Sequence, residues 1–412
     1  MEERPERALT TEERQRRRAR RRAATARRRW AAVAGVLVVA IAAAASGAVV
    51  ASGPASRHLT RGAAARNRPA GEGARGHIHP VVFTVEASGD LLIHSPVWER
   101  AQELGGGNRY DFAPLFAQIK PYITGVDLPI CHVETPMTPA TPTGYPVFNT
   151  PPALAGAIRA TGWRVCDTAA THTLDQGQAG VDDTIRALDH ARVLHTGSFS
   201  SALAQRTPLI MTVKGVRVAF LAYTELTNGI PSPHPWSVNR AYAPQILADA
   251  RRARQAGAHA VIVNIHWGDE NVTQPSSFQK HLADALTRSP DITAVVGQHV
   301  HVVQPIQTVN GKLVVFGEGN LISNQTSACC PDASQDGMIA LLTIVVDRYG
   351  SRVSNIRYVP IWVRHPDYEV LPAGRALRTD PADASALRAS YNRTVAAVGR
   401  GLDVQPIPSR LP

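Results

Sequence analysis

From residue 79 onwards, short runs rich in β-branched residues alternate with longer stretches in which apolar residues recur at helical spacing. Strands are predicted at Val81–Glu86, Asp127–Val133, Arg164–Ala169, Val216–Tyr223, Ala260–Ile265 and Ile292–Val296. Helices are predicted between them at Phe112–Tyr122, Pro152–Ala160, Val181–Ala191, Pro244–Ala256 and Phe278–Arg288. This alternation is typical of an α/β domain whose helices cover the faces of a sheet.

The pattern changes towards the C-terminus, where strand-like runs follow one another without helices between them. Val302–Val309 and Leu313–Phe316 flank Asn310-Gly311, a dipeptide that predicts a tight β-hairpin. Met338–Val346 and Val353–Val363 are predicted as antiparallel strands that close the fold. A helical stretch, Ala384–Val398, lies in the C-terminal tail, residues 371–412.

The N-terminal residues have a different pattern, with an uncharged run beside a cluster of arginines. Ala31–Val50 holds no charged residue and has the length that a helix needs to cross a bilayer. Arg27, Arg28 and Arg29 precede it, and positive residues favour the cytoplasmic side. We therefore expect a cytoplasmic tail at 1–29, a single-pass anchor at 30–52, a flexible tether at 53–78 and an extracellular main domain at 79–370. A cleaved signal peptide is the alternative to the anchor.

The formal charge of +11 suggests nucleic-acid binding until it is located along the chain. Residues 1–29 hold 12 Arg against 5 Glu, and residues 53–78 hold 5 Arg against 1 Glu, which accounts for the whole excess. Residues 79–412 are therefore neutral overall, and we expect no nucleic-acid partner.

Four cysteines are too few for a disulfide scaffold. Cys131 and Cys166 each lie in a predicted strand, and Cys329 and Cys330 are adjacent in a loop. An extracellular domain allows disulfides, but the spacing leaves both a pairing and buried free thiols open for Cys131 and Cys166.

Polar residues occur where five of the predicted strands end. The residues at these ends include Asp90, Glu134, His172, His266, His299 and His301. In α/β sheets, ligands bind beyond the carboxyl ends of the strands, so we expect these side chains at one rim. Carboxylates and imidazoles together are ligands for Zn²⁺, Mn²⁺ or Fe. His299 and His301 are two residues apart on a loop, so both rings can turn towards one centre.

This ordered set of motifs resembles the CapA family, the capsule poly-γ-glutamate biosynthesis proteins, over roughly residues 79–365. The segments that carry the resemblance are Ser88-Gly89-Asp90-Leu91-Leu92-Ile93-His94-Ser95-Pro96-Val97, Tyr145-Pro146-Val147-Phe148-Asn149-Thr150-Pro151-Pro152, His172-Thr173-Leu174-Asp175-Gln176-Gly177, His266-Trp267-Gly268-Asp269-Glu270, Val302-Val303-Gln304-Pro305-Ile306 and Gly319-Asn320. The resemblance implies a metallophosphatase-like layered β-sandwich flanked by helices, with a phosphoesterase-like site and a role in making or exporting a surface polymer.

Under this resemblance the site residues take specific roles. Asp90, Glu134, His266, His299 and His301 would hold a divalent metal ion (Mn, Zn or Fe), and His172 would protonate the leaving oxygen. A second set of candidates comprises His94, His132, Asp269 and Asn320. The expected partners are an anionic surface polymer or its precursor and membrane subunits.

Some motif positions depart from the family pattern. His132 stands where the family usually has the Asn of Asn-Leu-Glu, and Thr171 stands where it usually has the Asn before the motif histidine. A hydroxyl is a poorer ligand than an amide oxygen, so Thr171 weakens one metal position, and His132 is the residue that would compensate. Two alternatives to an enzyme of capsule synthesis stay open: a non-catalytic subunit that binds polymer or assembles a complex, and a general surface phosphoesterase.

Overall fold

A computed structural model describes residues 80–399 and 404–411 of the chain. The predicted cytoplasmic tail, the anchor Ala31–Val50 and the tether lie outside these residues, so they stay predictions. Within the described residues, no helix combines the length and the apolar character needed to cross a membrane.

The strands form two sheets in this part of the chain. The first sheet has the order β14-β13-β12-β1-β2-β3-β4, with β11 beside β1 and β15 beside β13. Its strands are β1 Val81–Leu91, β2 Leu128–Val133, β3 Val165–Asp167, β4 Leu194–Thr196, β11 Asn320–Ile322, β12 Asp336–Asp347, β13 Gly350–Arg364, β14 Glu369–Pro372 and β15 Gln405–Pro406. β1 to β4 are parallel neighbours, whereas β12, β13 and β14 are antiparallel.

The second sheet has the order β5-β6-β7-β8-β10-β9. Its strands are β5 Leu209–Val213, β6 Val216–Thr224, β7 Ala260–His266, β8 Ala294–Gln298, β9 Ile306–Val309 and β10 Lys312–Val315. β6, β7 and β8 are parallel, and β9 and β10 form the hairpin that Asn310-Gly311 predicts. Both turn residues have positive φ, 47° and 78°, as a tight hairpin requires.

Helices cover the outer faces of the two sheets. They are α1 Ser95–Leu104, α2 Lys120–Thr124, α3 Ala153–Thr161, α4 Gly177–His190, α5 Ala202–Arg206, α6 Ala243–Gln255, α7 Ser277–Thr287, α8 Ala373–Thr379 and α9 Ala384–Val398. α1, α3 and α4 bury apolar residues against the first sheet, and α6 and α7 against the second. Phe83 of β1 and Phe220 of β6 belong to the apolar layer between the sheets. The expected mixed α/β sheet fold is therefore confirmed.

Two predicted boundaries are wrong for identifiable reasons. The helix predicted at Phe112–Tyr122 is instead a 3₁₀ turn at Ala113–Phe116 followed by the short α2. Pro121 lacks the N–H that a continuous helix needs and sits in the first turn of α2 instead. The first strand was expected to end before Ser88-Gly89-Asp90, but β1 runs to Leu91 because β2 and β11 pair with its last residues.

The structure decides between the alternatives left open for two of the cysteines. Cys131 and Cys166 face each other across the parallel strands β2 and β3, with Cα atoms 4.4 Å apart, and they are disulfide-bonded. Cys329 and Cys330 also form a pair.

Candidate metal centre

The candidate residues lie where the carboxyl ends of parallel strands from both sheets meet. Asp90 of β1 is the register partner of His132 on β2, and His132 is the partner of Asp167 on β3. In the second sheet, His266 is the last residue of β7 and pairs with Gln298, the last residue of β8. Strand register therefore places a row of polar side chains on each sheet, and packing of the sheets brings the rows together.

The side chains of the cluster are buried and in mutual contact. His132 Nε2 lies 2.9 Å from His266 Nδ1 and 3.4 Å from Asp90 Oδ1. His266 Nε2 lies 3.1 Å from His299 Nδ1, and His301 Nδ1 lies 3.2 Å from Asp90 Oδ2. The five residues are each at most 4% exposed. This is the single rim that the strand-end pattern predicted.

Three groups of donor atoms in the cluster have the spacing of a metal site, with ligand atoms within 4.8 Å of one another. They are Asp90, His132 and His266; Asp90, Glu134 and His301; and Glu270, His299 and His301. Both carboxylate oxygens of Glu134 are buried and have no hydrogen-bond partner among the described residues. A buried carboxylate without a donor is costly, so this donor set fits a divalent cation.

The backbone around the cluster is shaped for these contacts. A Cβ atom at Gly89 would lie 1.8 Å from the carbonyl oxygen of Gly319, so only glycine allows β1 to approach that loop. The φ angles of His299 and His301 are 92° and 58°, in the left-handed region that L side chains rarely adopt. Such conformations cost ~1–3 kcal/mol each and are concentrated at functional sites. At this loop they aim both rings into the cluster.

Burial and crowding separate the pKa values of the histidines. Burial lowers the pKa of His299 to about 3, with a further contribution from His301, and burial also lowers the pKa of His266 well below its ordinary value. Burial opposes charge on His301 as well, but Glu134 and Asp90 raise its pKa to about 9. Burial, with Asp90, raises the pKa of Glu134 to about 7. The cluster without a cation therefore holds protons on some ligands and excludes them from others.

His172 lies at the edge of the cluster and is held by a carboxylate. Its Nδ1 is 2.7 Å from Asp175 Oδ2, and the other oxygen of Asp175 accepts a hydrogen bond of 2.9 Å from Asn228 Nδ2. The backbone N–H of Phe148 donates to the same carboxylate at 2.7 Å. The side chain of His172 is 11% exposed, whereas those of Asp90 and His132 are fully buried. His172 is thus the oriented imidazole that solvent reaches.

The other candidates lie at different distances from the centre. Asn320 Oδ1 lies 3.0 Å from His301 Nδ1, and Thr171 Oγ1 lies 2.9 Å from His266 Nε2. His94 is not in any of the three donor groups of the described residues, and its Nδ1 faces the backbone N–H of Asn324. Asp269 is exposed and is also outside those groups, whereas the neighbouring Glu270 belongs to one of them.

Sequence reasoning missed the residues behind the cluster. Asp167 Oδ1 lies 2.7 Å from His132 Nδ1, and Asn264 Nδ2 donates to Asp167 Oδ2. A charged residue at the end of the buried run in β3 was the available signal for Asp167. Asn264 lies inside an otherwise apolar strand, which was a signal of the same kind. Asp175, three residues after His172, was quoted as part of a motif but given no role.

The family of the chain follows from its match to a family model. The model of the bacterial capsule synthesis protein PGA_cap matches residues 84–325. This match covers more than half of the 412 residues and includes the strand-end residues from Asp90 to Asn320. The chain belongs to this family. The resemblance that the motifs predicted is thereby confirmed.

Two curated relatives agree with the family model. The capsule biosynthesis protein CapA of Bacillus anthracis is 27% identical over 255 residues, which are 59% of this chain and 60% of that protein. The PGA biosynthesis protein CapA of Bacillus subtilis is 28% identical over 164 residues, 39% of this chain and 43% of that protein. The alignments therefore span about half the length of these PGA_cap relatives.

Solved structures with a partial likeness include two hydrolases. The calcineurin-like phosphoesterase YfkN of Bacillus subtilis has a TM-score of 0.45 and 13% identity, covering 78% of this chain and 99% of that one. The NAD nucleotidase of Haemophilus influenzae has a TM-score of 0.44 and 11% identity, covering 76% of this chain and 60% of that one. Scores this low do not establish a shared fold or activity.

Proposed function

We propose that this PGA_cap protein carries a divalent metal at its strand-end cluster and hydrolyses or transfers a phosphoester of a cell-surface polymer or its precursor. The observation that carries the proposal is the buried donor set around Asp90, in which Glu134 keeps two unpartnered oxygens. A structural core would pair such a carboxylate with an arginine or a backbone N–H. The side chains around Glu134 are instead Asp90, His266 and His301, which are residues of the kinds that bind metal ions.

The residues that would hold the metal are Asp90, Glu134, His266, His299 and His301. A bound divalent ion supplies Lewis-acid polarisation of a phosphoryl oxygen and a water molecule of lowered pKa. The protein's own part is to fix these ligands before binding. The left-handed loop aims His299 and His301, and the hydrogen bond of 3.2 Å from the His299 backbone N–H to Asp90 Oδ1 orients the carboxylate.

His172 is the proposed proton donor to the leaving oxygen. Because a carboxylate only accepts hydrogen bonds, Asp175 holds the proton of the His172 ring on Nδ1 and directs Nε2 away from itself. A protonated Nε2 can then donate to an oxygen that leaves with negative charge. General acids of this kind contribute ~10²–10⁴-fold to a rate.

The first experiment measures metal content of the purified full-length chain, followed by hydrolysis of a generic phosphodiester and a phosphomonoester. Bound metal, metal-dependent hydrolysis and a loss of ~10²-fold or more in kcat for His172→Asn would support the proposal. The matched control is His195→Asn, since His195 also pairs with an aspartate, Asp189 at 3.2 Å, but lies outside the donor groups. Bound metal without hydrolysis would instead support the polymer-binding or assembly subunit.

We also propose that the described domain lies outside the cell and stays attached through Ala31–Val50. The uncharged run and the arginines before it support this arrangement. Protease treatment of intact cells is expected to remove the domain and spare residues 1–29. Release of a soluble domain into the medium, with a new N-terminus shortly after Val50, would show cleavage instead.

A further inference from the structure

We propose that His132 is an additional metal ligand of this site and that Asp167 holds it in the ligating tautomer. This inference rests on the metal-binding part of the proposed function and is independent of hydrolysis. It concerns two residues of this chain that the strand register places side by side on β2 and β3. Neither belongs to the ligand set given above.

The tautomer of His132 follows from the partner of each ring nitrogen. His132 Nδ1 is 2.7 Å from Asp167 Oδ1, and a carboxylate oxygen only accepts, so Nδ1 carries the proton of the neutral ring. In the neutral ring, which metal binding requires, Nε2 presents a lone pair. That lone pair faces His266 Nδ1 at 2.9 Å and Asp90 Oδ1 at 3.4 Å, two further donor atoms of one group. Histidines that ligate metal are commonly oriented in this way by a carboxylate behind them.

Asp167 is itself fixed from behind by a chain of buried amides. Asn264 Nδ2 donates to Asp167 Oδ2, and the backbone N–H of Ala169 lies 3.3 Å from Oδ1. Gln298 Nε2 donates to Asn264 Oδ1 at 3.2 Å and to Glu318 Oε2 at 3.0 Å. All of these side chains are at most 2% exposed. The orientation of His132 is therefore built into the core beneath the site.

His132 and Thr171 lie on different sides of the His266 ring. Thr171 Oγ1 lies 2.9 Å from His266 Nε2 and 3.3 Å from His299 Nδ1, whereas His132 Nε2 faces the other ring nitrogen, His266 Nδ1. His132 therefore adds an imidazole on the Asp90 side of the cluster and does not occupy the position of Thr171. With His132 the site offers four imidazoles beside Asp90 and Glu134. Imidazole suits Zn²⁺, whereas carboxylate and carbonyl oxygen suit Mn²⁺, so this set favours Zn²⁺.

The first test compares Zn²⁺ and Mn²⁺ affinities of the full-length wild type and His132→Asn by competition with a chelator. The asparagine amide can still donate to Asp167, but no atom replaces Nε2. We expect Zn²⁺ affinity to fall by ~100-fold or more and Mn²⁺ affinity by less. The control variant His195→Asn should change neither affinity.

The second test separates orientation from packing by exchanging an acid and an amide. In Asp167→Asn the new amide can take two orientations. In the first, its NH₂ group faces the NH₂ group of Asn264, so two donors oppose each other. In the second, its NH₂ group faces His132 Nδ1 and the backbone N–H of Ala169. The second orientation moves the His132 proton to Nε2 and blocks the lone pair, so we expect ~10–100-fold weaker Zn²⁺ binding. In the double variant Asp167→Asn/Asn264→Asp every hydrogen bond is restored, and Zn²⁺ affinity should return.

The outcomes are distinct. Zn²⁺ affinity that is unchanged in His132→Asn, or that falls equally for both metals, would overturn the inference and leave the proposed metal site intact. A double variant that folds, as judged by thermal unfolding in chelator, and binds Zn²⁺ as weakly as Asp167→Asn would overturn the role of Asp167. A wild type that takes up neither metal would overturn the proposed function as well. Metal binding without hydrolysis would leave this inference standing.

Discussion

Two buried carboxylates of the first sheet, Asp336 and Glu134, differ in whether a hydrogen-bond donor contacts them. Asp336, at the start of β12, is 1% exposed and receives two hydrogen bonds from Arg393 of α9, at 2.7 Å and 2.8 Å. Glu134, directly after β2, is fully buried and has no hydrogen-bond donor among the described residues. Burial raises the pKa of both groups. At Asp336 the guanidinium of Arg393 opposes the effect, whereas at Glu134 the charge of Asp90 adds to it and only the histidines of the cluster, His301 first, oppose it.

The difference indicates that the buried charge of Asp336 is part of the folded core, whereas the buried charge of Glu134 is available to bind a cation. A bidentate arginine completes a carboxylate within the protein. A buried carboxylate without a hydrogen-bond donor is offset in the metal-free fold only by protonated histidines such as His301, and a bound cation would take their place. Changes at the two regions should therefore have opposite effects on stability and on metal binding.

The largest effect is expected at Asp90, which belongs to two donor groups and contacts His301 and the His299 backbone. Asp90→Asn removes the charge that these groups share and should weaken metal binding by ~100-fold or more. Metal content after gel filtration measures the loss. Full metal content in this variant would show that the cluster does not bind metal through Asp90.

At the paired carboxylate, Arg393→Met leaves Asp336 buried without its cation. Since the Arg393 side chain is 36% exposed, the expected loss is below that of a fully buried pair, ~2 kcal/mol in the free energy of unfolding. Chemical denaturation in chelator measures it, and metal affinity should not change. A loss of metal affinity without a loss of stability would erase the distinction between the two regions.

Glu134→Gln should act in the reverse sense. It removes a buried charge that has no hydrogen-bond donor while keeping the side-chain shape. Above pH 9, where His301 is neutral and no longer offsets that charge, the metal-free protein is expected to gain ~1 kcal/mol. Metal affinity should fall in the same variant because an amide replaces a carboxylate ligand. The paired measurement is denaturation in chelator and metal titration. A destabilised metal-free Glu134→Gln would contradict the view that this charge is kept for a cation.

The smallest effect concerns pH. The pKa values of His132 and His301 are raised to about 9 in the folded metal-free protein, against opposing burial, by Asp167 and Glu134 respectively, with Asp90 adding to both. Their stabilising contribution is full below pH 6.5 and is lost as pH rises to 9. Metal binding needs unprotonated ligands, so affinity should instead rise over this range. Melting temperature with and without metal at pH 6.5, 7.5 and 9 tests the opposite trends.

His301→Asn is the matched variant for the pH experiment, because it removes one of the two histidines and keeps the fold around it. The fall in melting temperature of the metal-free protein between pH 6.5 and 9 should be smaller in this variant than in the wild type. Equal slopes would show that the histidines of the cluster do not cause the dependence.

Much of the molecule was predictable from local pattern. Largely apolar runs such as Ala260–Ile265 identified buried parallel strands, and Asn310-Gly311 identified a hairpin, because each depends on residues close in sequence. The same runs end in or just before Asp90, Glu134, His266, His299 and His301, and parallel topology sends the ends within each sheet to one edge. The family followed from the order of these motifs.

Only the tertiary structure decided which polar residues contact one another. His132 and Asp167 are 35 positions apart, and Asp167 and Asn264 are 97 apart, so their contacts depend on strand register and on how the two sheets pack. The left-handed backbone at His299 and His301 and the unpartnered carboxylate of Glu134 are likewise results of packing. The sequence determined the kinds of ligand at the strand ends, because side-chain chemistry is local. Which ligands meet, and which residue orients each of them, was decided by register and packing, because those contacts join residues far apart in the chain.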